Sequence, residues 1–410
     1  MEQICPKELC TACSACINVC PKDAIHMVEE GDLGYFYPVI DPKRCIDCKL
    51  CEKTCPVNRP TSLRTPLKAF AATSKDLDDL MSSTSGAASS LLAQEILHRG
   101  GIVYGCGQDT YRDIHHVRID RTEDAWRIKG SKYVQSRLGL TFRSVKKDLQ
   151  EGREVMFSGT PCQIAGLRNF LRKDYENLLL VDLVCHGVPS QKLLRENVDS
   201  LLDKHGVTDR KLCVSFRRKG RRTSDLRYGV YLAREVDAVP IDLGHDGERP
   251  YNDYIMAFLG GITFRDNCFS CPYARPQRGG DITIADFWGL QECSVSPARG
   301  VSLLLANTEK GEQMVAAIND KAVMEERPVT EAIRGNGQLN KPSRKPTERA
   351  RFVELHQLDV KLAYKECLKR TRRRYRKDIL QMKIVAAIKG IPWLGTLLHK
   401  NWKRIKQKRQ

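Results

Sequence analysis

No run of 18 or more apolar residues occurs in this 410-residue chain, so no membrane-crossing helix is expected. The opening residues, MEQICPKELC, hold neither a basic n-region nor an apolar h-region. No secretory signal is read there, and a cytoplasmic location is expected. No G-x-G-x-x-G fingerprint opens a helix: "YGCGQDT" begins as G-x-G but places Thr110 where the last glycine belongs. No G-x-x-x-x-G-K-[ST] phosphate loop occurs either, so a Rossmann dinucleotide site and a P-loop nucleotidase both lack their signatures. Outside the N-terminal cysteine runs there is no C-x3-C-x2-C segment, which disfavours radical S-adenosylmethionine chemistry.

Positive charge is plentiful but unevenly placed. The net charge is +18, yet residues 360–410 hold 17 Lys and Arg against two acids, leaving +3 for the rest. The basic excess belongs to the C-terminal stretch, and the body has no electrostatic case for nucleic-acid binding. "KRTRRRYRK" and "KNWKRIKQKR" flank the apolar "ILQMKIVAAIKGIPWLGTLL", with Trp393 and Trp402 in or beside it. Basic ends around an apolar middle suit an anionic membrane surface, so a peripheral position at the inner membrane face is one expectation for this tail. A disordered tail, or a helix docked on the body, is the alternative.

Seventeen cysteines are present, a high count for a reducing compartment unless they bind metal. "CTACSACINVCP" and "CIDCKLCEKTCP" place cysteines at 10, 13, 16 and 20 and again, each offset by 35, at 45, 48, 51 and 55. C-x2-C-x2-C-x3-C-P twice over is the run that holds paired [4Fe–4S] clusters. Three closely spaced thiolates wrap one cubane, and the fourth, set off by the Cys-Pro turn, reaches the other. Cys10, Cys13, Cys16 and Cys55 are assigned to one cluster, and Cys45, Cys48, Cys51 and Cys20 to the second. Cys5 fits no ligand slot and reads as a spare thiol. Residues 1–60 are expected to form an α+β ferredoxin-like module, followed by a Pro- and Ser/Thr-bearing linker, "VNRPTSLRTPLKAF".

From about residue 66 strands and helices alternate: "LKAFAATS" (strand), "SSTSGAASSLLAQEILHRGG" (helix), "IVYGCG" (strand), "SVKKDLQEG" (helix), "EVMFSG" (strand), "QIAGLRNFLRK" (helix) and "NLLLVDLV" (strand). That alternation predicts an α/β domain with a largely parallel sheet over residues 61–345, with a basic helical or disordered tail over 346–410. Cys162 and Cys185 each follow a strand of one βαβ unit, so they share the carboxyl edge where open α/β sheets bind ligands. Cys268 and Cys271, in "RDNCFSCPYA", are half of a four-thiolate site, and Cys162 and Cys185 can complete it. A structural zinc, or four inert buried cysteines, fit the same residues. Cys106, also just after a strand, competes for one place.

Six stretches, "STSGAASSLLAQEIL", "IKGSKYVQS", "FSGTPCQIAGLRNFL", "LVDLVCHGVPS", "FRDNCFSCPYA" and "GDITIADFWG", resemble the beta subunits of coenzyme F420 hydrogenases and dehydrogenases over roughly residues 66–340. The resemblance implies FAD and a third [4Fe–4S] cluster on Cys162, Cys185, Cys268 and Cys271. Cys106 departs from the family's pattern, which has a small residue there, and is taken as a packing variant. By the same resemblance, flavin contacts fall on Ser83, Thr84, Ser85 and Gly86, and on Ser131, Lys132, Tyr133, Gln135 and Ser136. Hydroxyls and backbone N–H groups at a helix start suit phosphate. Asp286 and Trp288 can line the cleft, and His186 is a candidate proton donor to reduced flavin. The resulting expectation is an oxidoreductase passing electrons between a two-electron carrier or substrate at FAD and one-electron clusters. Its partner is a redox protein or a small-molecule carrier. The alternatives are an electron-transfer subunit with no substrate site of its own, and a redox sensor.

Overall fold

The computed structural model describes residues 3–219, 226–235, 238–248 and 251–377. The N-terminal segment builds a small α+β unit. Helix α1 (Ala15–Val19) leads to a hairpin of β1 (Ile25–Glu30) and β2 (Tyr35–Ile40), paired antiparallel from Ile25↔Ile40 to Glu30↔Tyr35, and then to α2 (Leu50–Thr54).

The body is an eight-stranded sheet. Its strands are β3 (Lys68–Ser74), β4 (Ile102–Thr110), β5 (Asp113–Ile119), β6 (Val155–Gly159), β7 (Leu178–Leu183), β10 (Ile282–Asp286), β11 (Ser302–Ala306) and β12 (Ala322–Arg327). Strands β8 (Cys213–Lys219) and β9 (Leu226–Ala233) form a separate antiparallel hairpin. The sheet order is β12-β3-β11-β10-β7-β6-β4-β5. Its centre, β4-β6-β7-β10, is parallel, as the βαβ reading requires. The flanks are antiparallel: β5 folds back on β4, and β11 lies between β10 and β3. Strand β7, "LLLVDL", is apolar almost throughout because both faces of the sheet are covered.

Two short helices precede β4, α3 (Leu77–Ser82) and α4 (Ala88–His98). Then come α5 (Thr141–Gln150) and α6 (Pro161–Leu171), and α7 (Gln191–Lys204) follows β7. Helix α8 (Asp253–Leu259) precedes the Cys268 turn, and α9 (Glu309–Ala317), α10 (Val329–Gly335), α11 (Arg349–Leu358) and α12 (Val360–Cys367) complete the body. One face of the sheet packs on α4 and α9 through Leu92, Ile96 and Val315. The other packs on α5 and α6 through Phe142, Ile164 and Leu167, and here Cys13 and Ala15 of the N-terminal unit join the core. Residues 346–368, expected to start a tail, instead supply Phe352, Leu355, Tyr364 and Leu368 to the core that holds β8 and β9. The first basic run, residues 369–377, is helical and meets the body through Arg372 and Asp253. Residues 378–410, including Trp393 and Trp402, lie outside the described residues, and so does the apolar half of the membrane reading. Among the described residues no helix is long and apolar enough to cross a membrane.

The N-terminal unit is fastened to the body. Asn18 Nδ2 donates to the Gly139 carbonyl at 2.8 Å, and Arg143 Nη2 donates to the Cys20 carbonyl at 2.8 Å and to Asp23 at 2.7 Å. Tyr35, buried among body residues, donates its hydroxyl to the Thr263 carbonyl at 2.5 Å. Where α6 crosses the first cysteine run, a Cβ at Gly166 would lie 2.9 Å from the Cys13 Cβ and Sγ. Only glycine allows that approach.

Candidate redox site

The two cysteine runs fold alike. Ala12 (φ 51°) and Ser14 (φ 62°) are left-handed, and so, 35 residues on, are Asp47 (φ 52°) and Lys49 (φ 57°). Non-glycine residues with positive φ carry a backbone cost and cluster at functional sites. Here each stands close to a cysteine, where it turns the chain around a common centre. Cys20 and Cys55 then end α1 and α2 in extended conformation. Cys16 feels the thiols of Cys13, Cys10 and Cys55, Cys13 feels Cys55 and Cys10, and Cys55 feels Cys10. In the second set, Cys51 interacts with Cys48 and Cys20. Cys16 and Cys51 link the two sets. The second set is the outer one: Cys48 is exposed, while Cys10 and Cys13 are buried. Cys5 reaches the first set, where its thiol hydrogen-bonds to Cys10 and Cys55 and lowers them to about 6 and about 7.

The third set is assembled by the sheet. Strand β6 ends at Gly159, and Thr160 caps α6 in a capping box with Gln163. That places Cys162 in the first turn of α6, 3.2 Å from the Thr160 hydroxyl. Cys185 lies two residues past β7, which pairs parallel with β6. Cys268 and Cys271 sit in and just after a short 3-10 turn, Asp266–Ser270. The four thiols interact electrostatically as one group. Burial pushes Cys162 up to about 11 and Cys268 up to about 12, and it raises Cys185 and Cys271 as well. Four crowded thiols with no disulfide and few donors are poor company for one another unless a metal takes them as thiolates, which it does outright. The donor set fits a thiolate-bound cluster. A buried ion pair braces it: Arg278 Nη2 meets Asp182 at 3.1 Å, with the two side chains 1% and 0% exposed. This pair ties the segment after Cys271 to the end of β7.

Cys106 stands apart from the four. Its electrostatic partners are Lys132 and Ser136, and burial raises it. The first and third sets adjoin: Cys13 and Cys162 interact, and Tyr273 feels Cys162, Cys13, Cys271 and Cys55.

The two motifs expected to contact flavin meet at the same sheet edge. Because β11 is antiparallel to both β3 and β10, strands β3 and β10 end on one side, together with β6 and β7. Thr84 and Ser131 hydrogen-bond at 3.1 Å, which joins the two motifs. Lys129 reaches Asp79 at 2.8 Å, and Lys132 donates to the Lys129 carbonyl at 2.6 Å. The helix starts later than expected, at Ala88, so Ser83 to Gly86 form a bend before it. The reason is Gly86: a Cβ there would lie 2.1 Å from the Ala72 carbonyl oxygen and 2.6 Å from the Ser302 nitrogen. The glycine lets the chain wedge between β3 and β11. Ser85 donates to the Val301 carbonyl at 3.0 Å. Ser83 is buried. Tyr133 stacks on Phe258, with ring centroids 4.5 Å apart. Gln135 and Ser136 are turned to other tasks. Gln135 donates to the Thr11 carbonyl of the N-terminal unit at 3.0 Å, and Ser136 is held in the core by His116 and Gln163.

Two cations outside the expected motifs arch over this edge from β8. Arg217 pairs with Asp286 at 2.7 Å and leaves its Nε buried without a hydrogen-bond partner. Lys219 donates to the Leu80 and Ser85 carbonyls, each at 2.5 Å. Burial lowers its pKa to about 8. Their only sequence signal is alternation in "CVSFRRK", which puts positions 217 and 219 on one face of a strand. The orphaned Nε and the Ser/Thr hydroxyls suit a phosphate-bearing ligand. Trp288 is 47% exposed at the rim. His186 reaches solvent beside Asp286; crowding by the surrounding protein lowers its pKa while that carboxylate opposes the shift.

Comparison with known proteins gives two family matches. Residues 152–332 match the C terminus of the coenzyme F420 hydrogenase/dehydrogenase beta subunit, and residues 9–59 match the 4Fe-4S dicluster domain. A subunit of the F(420)H(2) dehydrogenase of Methanosarcina mazei is 25% identical over 216 residues, covering 48% of this chain and 60% of that protein. A ferredoxin of Alicyclobacillus acidocaldarius is 54% identical over 43 residues, 10% of this chain and 47% of that protein. The chain thus spans about half the length of the curated relatives it matches. A chain in the solved F420-reducing [NiFe] hydrogenase complex of Methanosarcina barkeri aligns at 18% identity and a TM-score of 0.39. It covers 69% of this chain and 97% of that one, a likeness too low to carry an argument. On these matches, the chain carries a domain matching the C terminus of the coenzyme F420 hydrogenase/dehydrogenase beta subunit, with a 4Fe-4S dicluster domain ahead of it.

Proposed function

We propose that this chain is an iron–sulfur flavoprotein oxidoreductase with three [4Fe–4S] clusters and one FAD. The observation that carries this reading is the adjacency of its sites. The outer cysteine set meets the first through Cys51 and Cys16, and the first meets the third through Cys13 and Cys162. The third lies on the same sheet edge as the Ser83–Ser85 bend and the Ser131–Tyr133 loop. Cys10, Cys13, Cys16 and Cys55 would hold one cluster, Cys20, Cys45, Cys48 and Cys51 the second, and Cys162, Cys185, Cys268 and Cys271 the third. Bound flavin would supply the exchange between two-electron and one-electron chemistry.

The protein's own groups do the rest. Arg217 and Lys219 offer positive charge over the cleft, and the Thr84 and Ser131 hydroxyls offer hydrogen bonds to a diphosphate. Trp288 and His186 stand at the open rim, where a two-electron carrier can approach. His186 can hand over or take a proton there. At the other end, the exposed Cys48 puts the outer cluster within reach of a redox partner protein. Anaerobic purification followed by flavin, iron and sulfide quantitation tests the reading. About one flavin and about 12 irons per chain are expected, given four irons per cubane. Iron without flavin would leave an electron-transfer protein with no substrate site of its own.

A further inference from the structure

Arg265 is, with Arg278, one of the two largest side chains buried to near completion, at 1% exposure. Its position is set on every side. Its backbone N–H donates to the Val188 carbonyl at 3.0 Å, and its carbonyl accepts from the Cys268 N–H at 3.0 Å. Its Nε donates to the Cys10 carbonyl at 2.7 Å, and Nη1 reaches Gln135 Oε1 at 3.4 Å. The guanidinium lies over the Tyr37 ring, 4.2 Å from its centroid, and 5.4 Å from that of Tyr35. Nη2 is buried with no hydrogen-bond partner.

Among the described residues no carboxylate lies within ion-pair distance of this cation. Nearby Asp266 is taken by Lys345 at 3.5 Å and Arg349 at 3.8 Å. A buried charge without a counter-charge costs several kcal/mol, so guanidinium groups at such depth are paired. The groups it acts on electrostatically include Cys10 of the first set and Cys162 and Cys268 of the third. As neutral thiols these cannot neutralise it. As ligands of thiolate-bound clusters, which carry net negative charge, they can.

We infer that Arg265 is a positioning residue shared by the first and third cysteine sites, a fixed positive charge that raises the reduction potential of a cluster at each. One-electron reduction adds one negative charge to a cluster and moves no proton. A cation held beside two of the three sites favours that step at those two and not at the outer Cys20, Cys45, Cys48 and Cys51 set. Potentials of such clusters are set by charge, hydrogen bonding and burial. The effect makes the two inner sites easier to reduce than their burial alone would allow, and so keeps electrons on the path through the protein.

The inference rests on the proposed cluster ligands, and its test keeps the two apart. The full-length chain is purified anaerobically as wild type, Arg265→Gln and Arg265→Lys. Iron is counted, and potentials are read by redox titration followed by electron paramagnetic resonance. Arg265→Gln should make reduction of two clusters about tenfold less favourable, a shift of about 59 mV to more negative potential for a one-electron couple. The outer cluster should not move, and Arg265→Lys should retain most of the wild-type values. Unchanged potentials at full iron content, or an equal shift at all three clusters, overturn the inference. So does equal loss of iron in both variants, which would make Arg265 a structural peg whatever its charge. About eight irons in the wild type would refute the third ligand set itself, independently of how the variants behave.

Discussion

Cys10 to Cys55 lie in one short stretch, and their geometry comes from the chain between them. Cys162, Cys185, Cys268 and Cys271 come from three separate loops, and their geometry comes from the sheet. In the first region the left-handed residues Ala12, Ser14, Asp47 and Lys49 turn successive thiols inward, so the site is built by local conformation. In the second, parallel pairing of β6 with β7 sets Cys162 beside Cys185, and the Arg278–Asp182 pair draws in the Cys271 segment. The comparison teaches that the same ligand chemistry can have different weak points. Local sites fail by losing a ligand, whereas an assembled site also fails when a distant brace gives way.

The sharpest way to separate the two regions is to break that brace. Arg278→Ala leaves Asp182 charged and buried, at a cost of about 3–5 kcal/mol. It should lower the melting temperature markedly and remove the third site's iron while the spectrum of the ferredoxin pair persists. Unaltered iron with an unaltered melting curve would show that the sheet alone assembles the site. A second change attacks the contact between the regions. Gly166→Ala drives a Cβ into Cys13, and overpacking of this kind costs about 1–3 kcal/mol. Denaturant unfolding should show that loss, and of the two ferredoxin clusters the first should suffer more than the second.

The proposed flavin cleft offers a pH test. Burial depresses Lys219 to about 8 in the folded protein, below the ordinary lysine value. It therefore loses its charge as pH rises through about 8, and FAD should bind about tenfold more weakly at pH 9 than at pH 7, on the order of 1.5 kcal/mol. Without ligand the sign is opposite. The unfolded chain keeps its proton up to about 10.4, so this group's contribution to stability rises between about pH 8 and that value. Flavin titrations at the two pH values, repeated with Lys219→Ala, check the binding statement, and urea unfolding across the same range checks the stability statement. Equal affinities would remove Lys219 from the site. The smallest effect belongs to Cys106→Ala, which should cost about 1 kcal/mol and no iron, because Cys106 faces Lys132 and Ser136 and not the four cysteines.

Much of this is legible in the sequence, for identifiable reasons. The ferredoxin repeat is local, so spacing alone carries it. Cys162 and Cys185 can be placed on one edge because strand–helix–strand alternation implies it. The bend at Ser83–Gly86 looks like a helix start because its serines resemble caps, and nothing local reveals that Gly86 must slip between β3 and β11. The antiparallel flanks stay hidden because pairing direction depends on connections, not composition. Gln135 and Ser136 stand in the expected loop, but the ferredoxin unit and the core claim their side chains. Arg217, Lys219 and Arg265 escape notice because a cation far from any motif reads as a solvated surface residue until burial is known.

The central claim is that four cysteines from three loops hold a cluster as the repeat's cysteines do. Iron and acid-labile sulfide per chain, in anaerobically prepared wild type and Cys268→Ser, test it most directly. The account predicts about 12 irons falling to about eight, with the ferredoxin clusters intact. Iron content that is the same in both proteins would contradict it and leave Cys268 a structural residue.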